Sequence, residues 1–195
     1  LNLKRWFYLF WTTLLVGAVA SLITGVILKW TEQGTQLKGF ADVIMLGVLL
    51  LGSGIMVSIY SQMGFFAYLM MNYMAVGVFS KRVWQYIQLG LAALALLELM
   101  FFRIFVGGQT DRLSDIVLGI VILLTAVIVA YYKVKGTNAS AFIPTLFFMI
   151  TGTIVEVIGV LSIGVNNATV FIVIPLLACN AYQILLLHRI LQQKS

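Results

Sequence analysis

Residues 60–84 read YSQMGFFAYLMMNYMAVGVFSKRVW, and the fold turns on whether this stretch crosses a membrane. Between Tyr60 and Ser80 it carries no charge, and its methionines and aromatics suit a lipid-facing helix; Lys81 and Arg82 follow at once. The question is one of membrane topology because the whole chain is apolar. Of its 195 residues, 62% are hydrophobic and 9% charged, whereas a soluble domain is about 45–50% apolar and about 25% charged. Mean hydropathy is +1.08. A water-soluble core of this size could not bury so much apolar surface. The sequence therefore reads as an all-α polytopic membrane helix bundle, a single integral membrane domain over residues 1–195. The longest polar stretch, residues 29–39, leaves no room for a separate soluble domain.

About 20 consecutive apolar residues cross a bilayer as a helix, the one open-chain form that satisfies its own backbone hydrogen bonds there. Outside the opening stretch, six runs qualify: residues 6–28, 40–60, 83–106, 114–132, 141–163 and 168–187. The first could instead be a cleaved signal peptide, since Lys4 and Arg5 precede it and Ala18-Val19-Ala20 resembles a cleavage site. Its 23 residues exceed the about 7–15 of a signal core and favour a retained span.

Charge decides how to treat residues 61–80. If they do not cross and the N-terminus is cytoplasmic, Lys4, Arg5, Lys81, Arg82, Lys133, Lys135, Arg189 and Lys194 lie inside, and Lys29, Lys38, Arg103 and Arg112 outside. If they cross, with the N-terminus still inside, the bias reverses and breaks the positive-inside rule. We therefore expect six spans with both termini cytoplasmic, in the cell membrane, plus one re-entrant or interfacial hydrophobic segment at 61–80. Seven spans are the alternative.

In the six-span arrangement the acids Glu32, Asp42, Glu98, Asp111, Asp115 and Glu156 all fall in the outer half. Glu98 and Glu156 come eight and seven residues before the outer ends of their spans, about 12 and 10 Å deep at 1.5 Å per residue. Buried ionisable groups in a bilayer are costly and mark function or helix order. Asp42, Glu98, Arg103, Asp115 and Glu156 form the candidate intramembrane polar cluster, either structural or a pocket for a ligand or signal. Asp42 and Asp115 also suit the positive N-terminal ends of their helices. Gly17, Ser21 and Gly25, and likewise Gly54 and Ser58, place small residues on one helix face for close packing.

Catalytic patterns are missing. There is no HExxH, phosphate-binding glycine loop, CxxC or GxSxG. Cys179 is the one cysteine and His188 the one histidine, so no disulfide or Cys-based metal cluster forms within the chain. The net charge of +6 records the cytoplasmic Lys/Arg bias, and no nucleic-acid partner is expected. We expect no enzyme activity, no cofactor and no metal, with the lipid bilayer as one partner; the oligomeric state is open. A small proton-coupled transporter built around Glu98 and Glu156 is the alternative, as two close carboxyls tend to share a proton.

Three stretches carry a resemblance: WTTLLVGAVASLITGVILKW at 11–30, IYSQMGFFAYLMMNYMAVGVFSKRVW at 59–84, and LLELMFFRIF at 96–105 with Glu98 and Arg103. The chain resembles the KinB-signalling pathway activation protein family (KbaA-like) over most of its length, and residues 61–68, SQMGFFAY, are the most specific part. The resemblance implies a polytopic, non-enzymatic membrane accessory protein that promotes activation of a membrane sensor histidine kinase in the sporulation phosphorelay. It supplies no catalytic residues. The expected partner-docking segment is Ser61, Gln62, Met63, Gly64, Phe65, Tyr68, Asn72, Lys81, Arg82 and Trp84.

Overall fold

The computed structural model describes residues 3–31, 39–102, 112–161 and 167–191. These residues are helical apart from short turns, and no strand occurs among them. Helix α1 is Leu3–Thr31, α2 is Phe40–Val78, and α3 is Lys81–Leu97, which runs into a π-turn at Glu98–Phe102. Helix α4 is Arg112–Gly136. The rod α5 joins a 3-10 turn, Ala139–Ala141, to Phe142–Phe147, a π-turn Phe148–Gly152 and Thr153–Leu161. Helix α6 is Asn167–Leu191 and carries Pro175 in its interior. Each of the six is long and apolar enough to cross a bilayer.

The decisive stretch is not a separate segment. Residues 61–78 continue α2 without a break, making one helix of 39 residues, about 58 Å long at 1.5 Å per residue. The expected boundary after Tyr60 has no physical cause. No proline lies between 40 and 78, and Gly64 and Gly77 cost a helix only about 1 kcal/mol each relative to alanine. The chain turns at Phe79 (φ −108°, ψ 149°) and Ser80 (φ −63°, ψ 149°), both extended. A seven-helix arrangement would need α2 to be broken, and it is not.

Helices α1 and α2 pack antiparallel through small residues. A Cβ on Gly54 would lie 2.5 Å from the Gly17 carbonyl oxygen, and one on Gly17 would lie 1.8 Å from Ser58 Oγ. Farther along, Gln62 Nε2 donates to Phe10 O at 3.4 Å, and Trp6 stacks near Phe66 at 5.6 Å between ring centroids. The first and last described helices meet at one end: Arg5 donates to the Arg189 and Ile190 carbonyls at 3.4 and 3.3 Å. Six helices of alternating direction put these two ends on the same side, and packing of α1 on α6 brings them into contact.

The core lies around α5, the most deeply buried of the six. Phe65 and Tyr68 of α2 meet Phe148, with ring centroids 5.5 and 4.9 Å away. Six consecutive side chains, Thr145 to Ile150, are buried; since six residues sweep more than one full turn, the rod is covered on all sides there. The buried positions Trp84, Gln88 and Ala92 of α3 and Leu99 of its π-turn fall on one helical stripe facing this core.

Candidate functional site

The polar interior is built from α2, α5 and α6. Ser61 of α2 is wholly buried, and its hydroxyl donates to Asn180 Oδ1 at 2.7 Å. Asn180, also wholly buried, donates through Nδ2 to Glu156 Oε2 at 2.8 Å and Thr153 Oγ1 at 3.1 Å. Gln183 Nε2 donates in turn to Ser61 Oγ. A directional chain thus runs from Gln183 through Ser61 and Asn180 to the Glu156 carboxyl. Asn180 sits at the middle of α6, so the carboxyl is held near mid-height of that helix. Gly64 leaves the room for it: a Cβ there would lie 1.7 Å from Glu156 Oε1. Beside this chain Ser58 donates to Thr13 O at 3.1 Å and lies 3.5 Å from Cys179 Sγ, tying in α1.

The expected acidic cluster is redistributed. Glu156 takes its hydrogen bond from Asn180 and, among the described residues, shares none with another acid. Glu98 is exposed on α3, off the buried stripe and among exposed Leu94, Leu97 and Phe101. Glu98 and Glu156 therefore do not form a carboxyl pair. Equal depth on two helices does not bring side chains together when one of them faces outward. Asp42 is exposed in the first turn of α2, and Asp115 is buried in the first turn of α4. Arg103 lies outside the described residues.

The expected docking segment divides by face. Ser61, Gln62, Phe65 and Tyr68 are buried and Gly64 is packed on Glu156, so these do not form an outer surface, whereas Trp84, though largely buried, lines the groove beside α2. Tyr68 donates to Pro144 O at 3.2 Å, and Trp84 Nε1 donates to Asn72 Oδ1 at 2.8 Å. Met63, Lys81 and Arg82 are exposed. The outer face near Lys81 and Arg82 is instead a shallow apolar groove of about 510 Å³ whose walls include Ala67, Met70, Met71, Met74 and Val78.

Sequence reasoning missed Asn180, Gln183 and Thr153. The signal was present, since Cys179, Asn180 and Gln183 interrupt an otherwise apolar span at spacings that share a helix face. Uncharged amides cost less in a bilayer than acids and so drew less weight.

The model of the family described as KinB-signalling pathway activation in sporulation matches residues 17–190. The chain belongs to that family. A KinB-signaling pathway activation protein of Bacillus subtilis (strain 168) is 32% identical over 185 residues, covering 92% of this chain and 93% of its own. No solved structure matches the chain. Membership in the KinB-signalling family places the protein in sporulation signalling. The matched region contains the whole Gln183–Ser61–Asn180–Glu156 chain and the methionine groove.

Proposed function

We propose that this protein is a multi-pass membrane accessory protein, without catalytic chemistry of its own, that activates a KinB-type sensor histidine kinase by direct contact. The family match over residues 17–190 carries the reading. The bundle supports it in two ways. Buried polar groups of α2, α5 and α6 bond one another from helix to helix, as befits a rigid accessory subunit. Its groove supplies a surface where a partner segment fits.

The place of the groove follows from length. Even tilted by about 40°, the 39 residues of α2 rise about 44 Å, more than the about 30 Å of a hydrocarbon core. Antiparallel α1 brings Arg5 to the level of Phe66, and α2 continues about 18 Å beyond the Trp6–Phe66 contact. The cations Lys4, Arg5, Lys81, Arg82, Lys133, Lys135 and Arg189 gather at this end, which is therefore cytoplasmic by the positive-inside rule. Met70, Met71, Tyr73, Met74 and Val78 are exposed on the extension. An apolar patch at the membrane surface, made of adaptable methionines, suits a juxtamembrane helix of the kinase. To activate, the protein must bind the active kinase state more tightly than the inactive one.

Co-purification with the kinase in mild detergent, then autophosphorylation with and without this protein, tests the reading. Association and a faster rate are expected. Absence of both ends it. Cysteines replacing Phe40 and Ser80 should label from opposite sides of the membrane, with Ser80 on the cytoplasmic side.

A further inference from the structure

At the basic end, α4 and α6 enclose a pocket of about 330 Å³ lined by Lys133, His188 and Arg189, with Tyr132, Tyr182 and two leucines beside them. Among the described residues, no acidic side chain lines it. Lys133 is the unusual member. Its side chain is only 6% exposed, and its single partner among the described residues is the Ile184 carbonyl. A buried ammonium ordinarily has a counter-charge or several acceptors, because desolvating it otherwise costs several kcal/mol. An ammonium offers three donors, so two remain. His188 lies 2.7 Å from Leu185 O through Nδ1, which makes Nδ1 the donor and leaves Nε2 uncommitted. Arg189 is exposed and brings a planar fork of donors suited to phosphate oxygens. Arg5 bonds to the Arg189 carbonyl and adds a further cation nearby.

Compensation of the negative C-terminal ends of α4 and α6 explains one donor from Lys133 and one from His188. It does not explain two cationic side chains and an imidazole converging on one cavity with no acid among its described lining residues. Charge of one sign around a cavity with apolar walls concentrates an anion there. Tyr132, Tyr182, Leu185 and Leu186 give the rest of the lining a largely apolar wall, as a headgroup with its glycerol would need.

We propose that this pocket binds a phosphate group, either the phosphodiester of an anionic lipid headgroup or a soluble phosphate, with Lys133, His188 and Arg189 as its donors. Basic pockets between membrane helices on the cytoplasmic side hold anionic headgroups in this manner. The site is separate from the α2 groove and does not depend on the kinase reading.

The test uses the full chain purified in nonionic detergent. Thermal unfolding is followed while titrating short-chain phosphatidylglycerol, phosphatidylcholine or sodium phosphate. Phosphatidylglycerol is expected to raise the midpoint and phosphatidylcholine to leave it unchanged. Arg189→Gln and His188→Gln should each weaken the apparent affinity at least about tenfold, as loss of one charge-assisted hydrogen bond implies. The double variant Lys4→Gln/Lys135→Gln, which removes two exposed charges at the same end but outside the pocket, should bind as the wild type does. If sodium phosphate reproduces the shift at millimolar concentration, the ligand is the soluble anion; if only the lipid acts, it is the headgroup. The proposal is overturned if no phosphate compound stabilises the protein, if Arg189→Gln and His188→Gln bind normally, or if the Lys4/Lys135 double variant loses as much affinity as they do.

Discussion

Two stretches of α2 have the same kind of sequence and opposite surroundings. Residues 40–53 include no buried position, while Gly54, Ser58, Ser61, Gln62, Phe65, Tyr68 and Ala75 of the following stretch are all buried. Both stretches are helical, apolar and rich in large side chains. The difference lies in what stands beside them. The first stretch has α1 along one side, with Leu50 against Gly25. The second is wedged between α1, α5 and α6 and exchanges hydrogen bonds with all three. Hydropathy therefore does not measure burial along α2, because its exposed and its packed stretches are equally apolar. Small and hydrogen-bonding residues mark the protein-facing side.

The contrast should appear most sharply at glycines. Gly54→Leu drives a side chain into the backbone of Gly17 and Ala18, 2.5–2.7 Å from where its Cβ would stand. Loss of monodisperse protein in detergent, or destabilisation by about 3 kcal/mol or more, is expected. Gly47→Ala and Gly52→Ala, in open surroundings, should unfold at or slightly above the wild-type temperature, since alanine favours helix by about 1 kcal/mol. Equal damage at Gly54 and Gly47 would remove the distinction between the two stretches.

A charge tests where lipid ends. Val48→Lys should impair insertion by about 2.5–3.5 kcal/mol, the cost of a lysine at the centre of a span. Met74→Lys, on the extension beyond Arg5, should insert normally and instead abolish kinase activation. Measured insertion efficiencies that match at the two positions would place the extension inside the bilayer.

Gly64→Ala should cost about 1–3 kcal/mol, because the Glu156 carboxyl must move and give up its bond to Asn180. Combining it with Glu156→Ala should recover much of that loss in a double-mutant cycle of thermal stabilities. Additive effects would show that the two residues are not in contact.

The smallest effect separates two serines. Ser61→Ala removes bonds to Asn180 and Gln183 and should lower stability by about 0.6–1.7 kcal/mol, the range for hydrogen bonds between membrane helices. Ser53→Ala removes only a local bond to Leu50 O at 2.8 Å and should leave the unfolding temperature unchanged. A reversed order would break the comparison at its polar core.

The methionines of 70–74 and the basic pair Lys81-Arg82 were visible as an apolar run closed by charge, yet their role depends on which face of α2 is free. The seven positions buried on α2 were legible only in part: the spacing of Gly54 and Ser58 pointed to close packing, and Gly54 and Ser58 do pack on α1. The pairing of Glu98 with Glu156 failed because sequence gives depth along a helix but not rotation about the bundle. Glu98 turns outward next to its π-turn, and the partner of Glu156 proved to be an amide on the last helix.

Composition, hydropathy and charge bias by themselves determined an all-α chain with helices long enough to span and an even arrangement of them, because these depend on local residue types and their order; the family came from the resemblance of particular stretches, SQMGFFAY at 61–68 above all. Only the tertiary structure decided that residues 40–78 form one helix, that Ser61, Asn180, Gln183 and Glu156 share one hydrogen-bonded chain, and that Lys133 is buried beside His188 and Arg189. Those facts arise from which faces of separate helices meet, and rotation of apolar helices against one another is set by close fit and a few polar contacts rather than by any local signal.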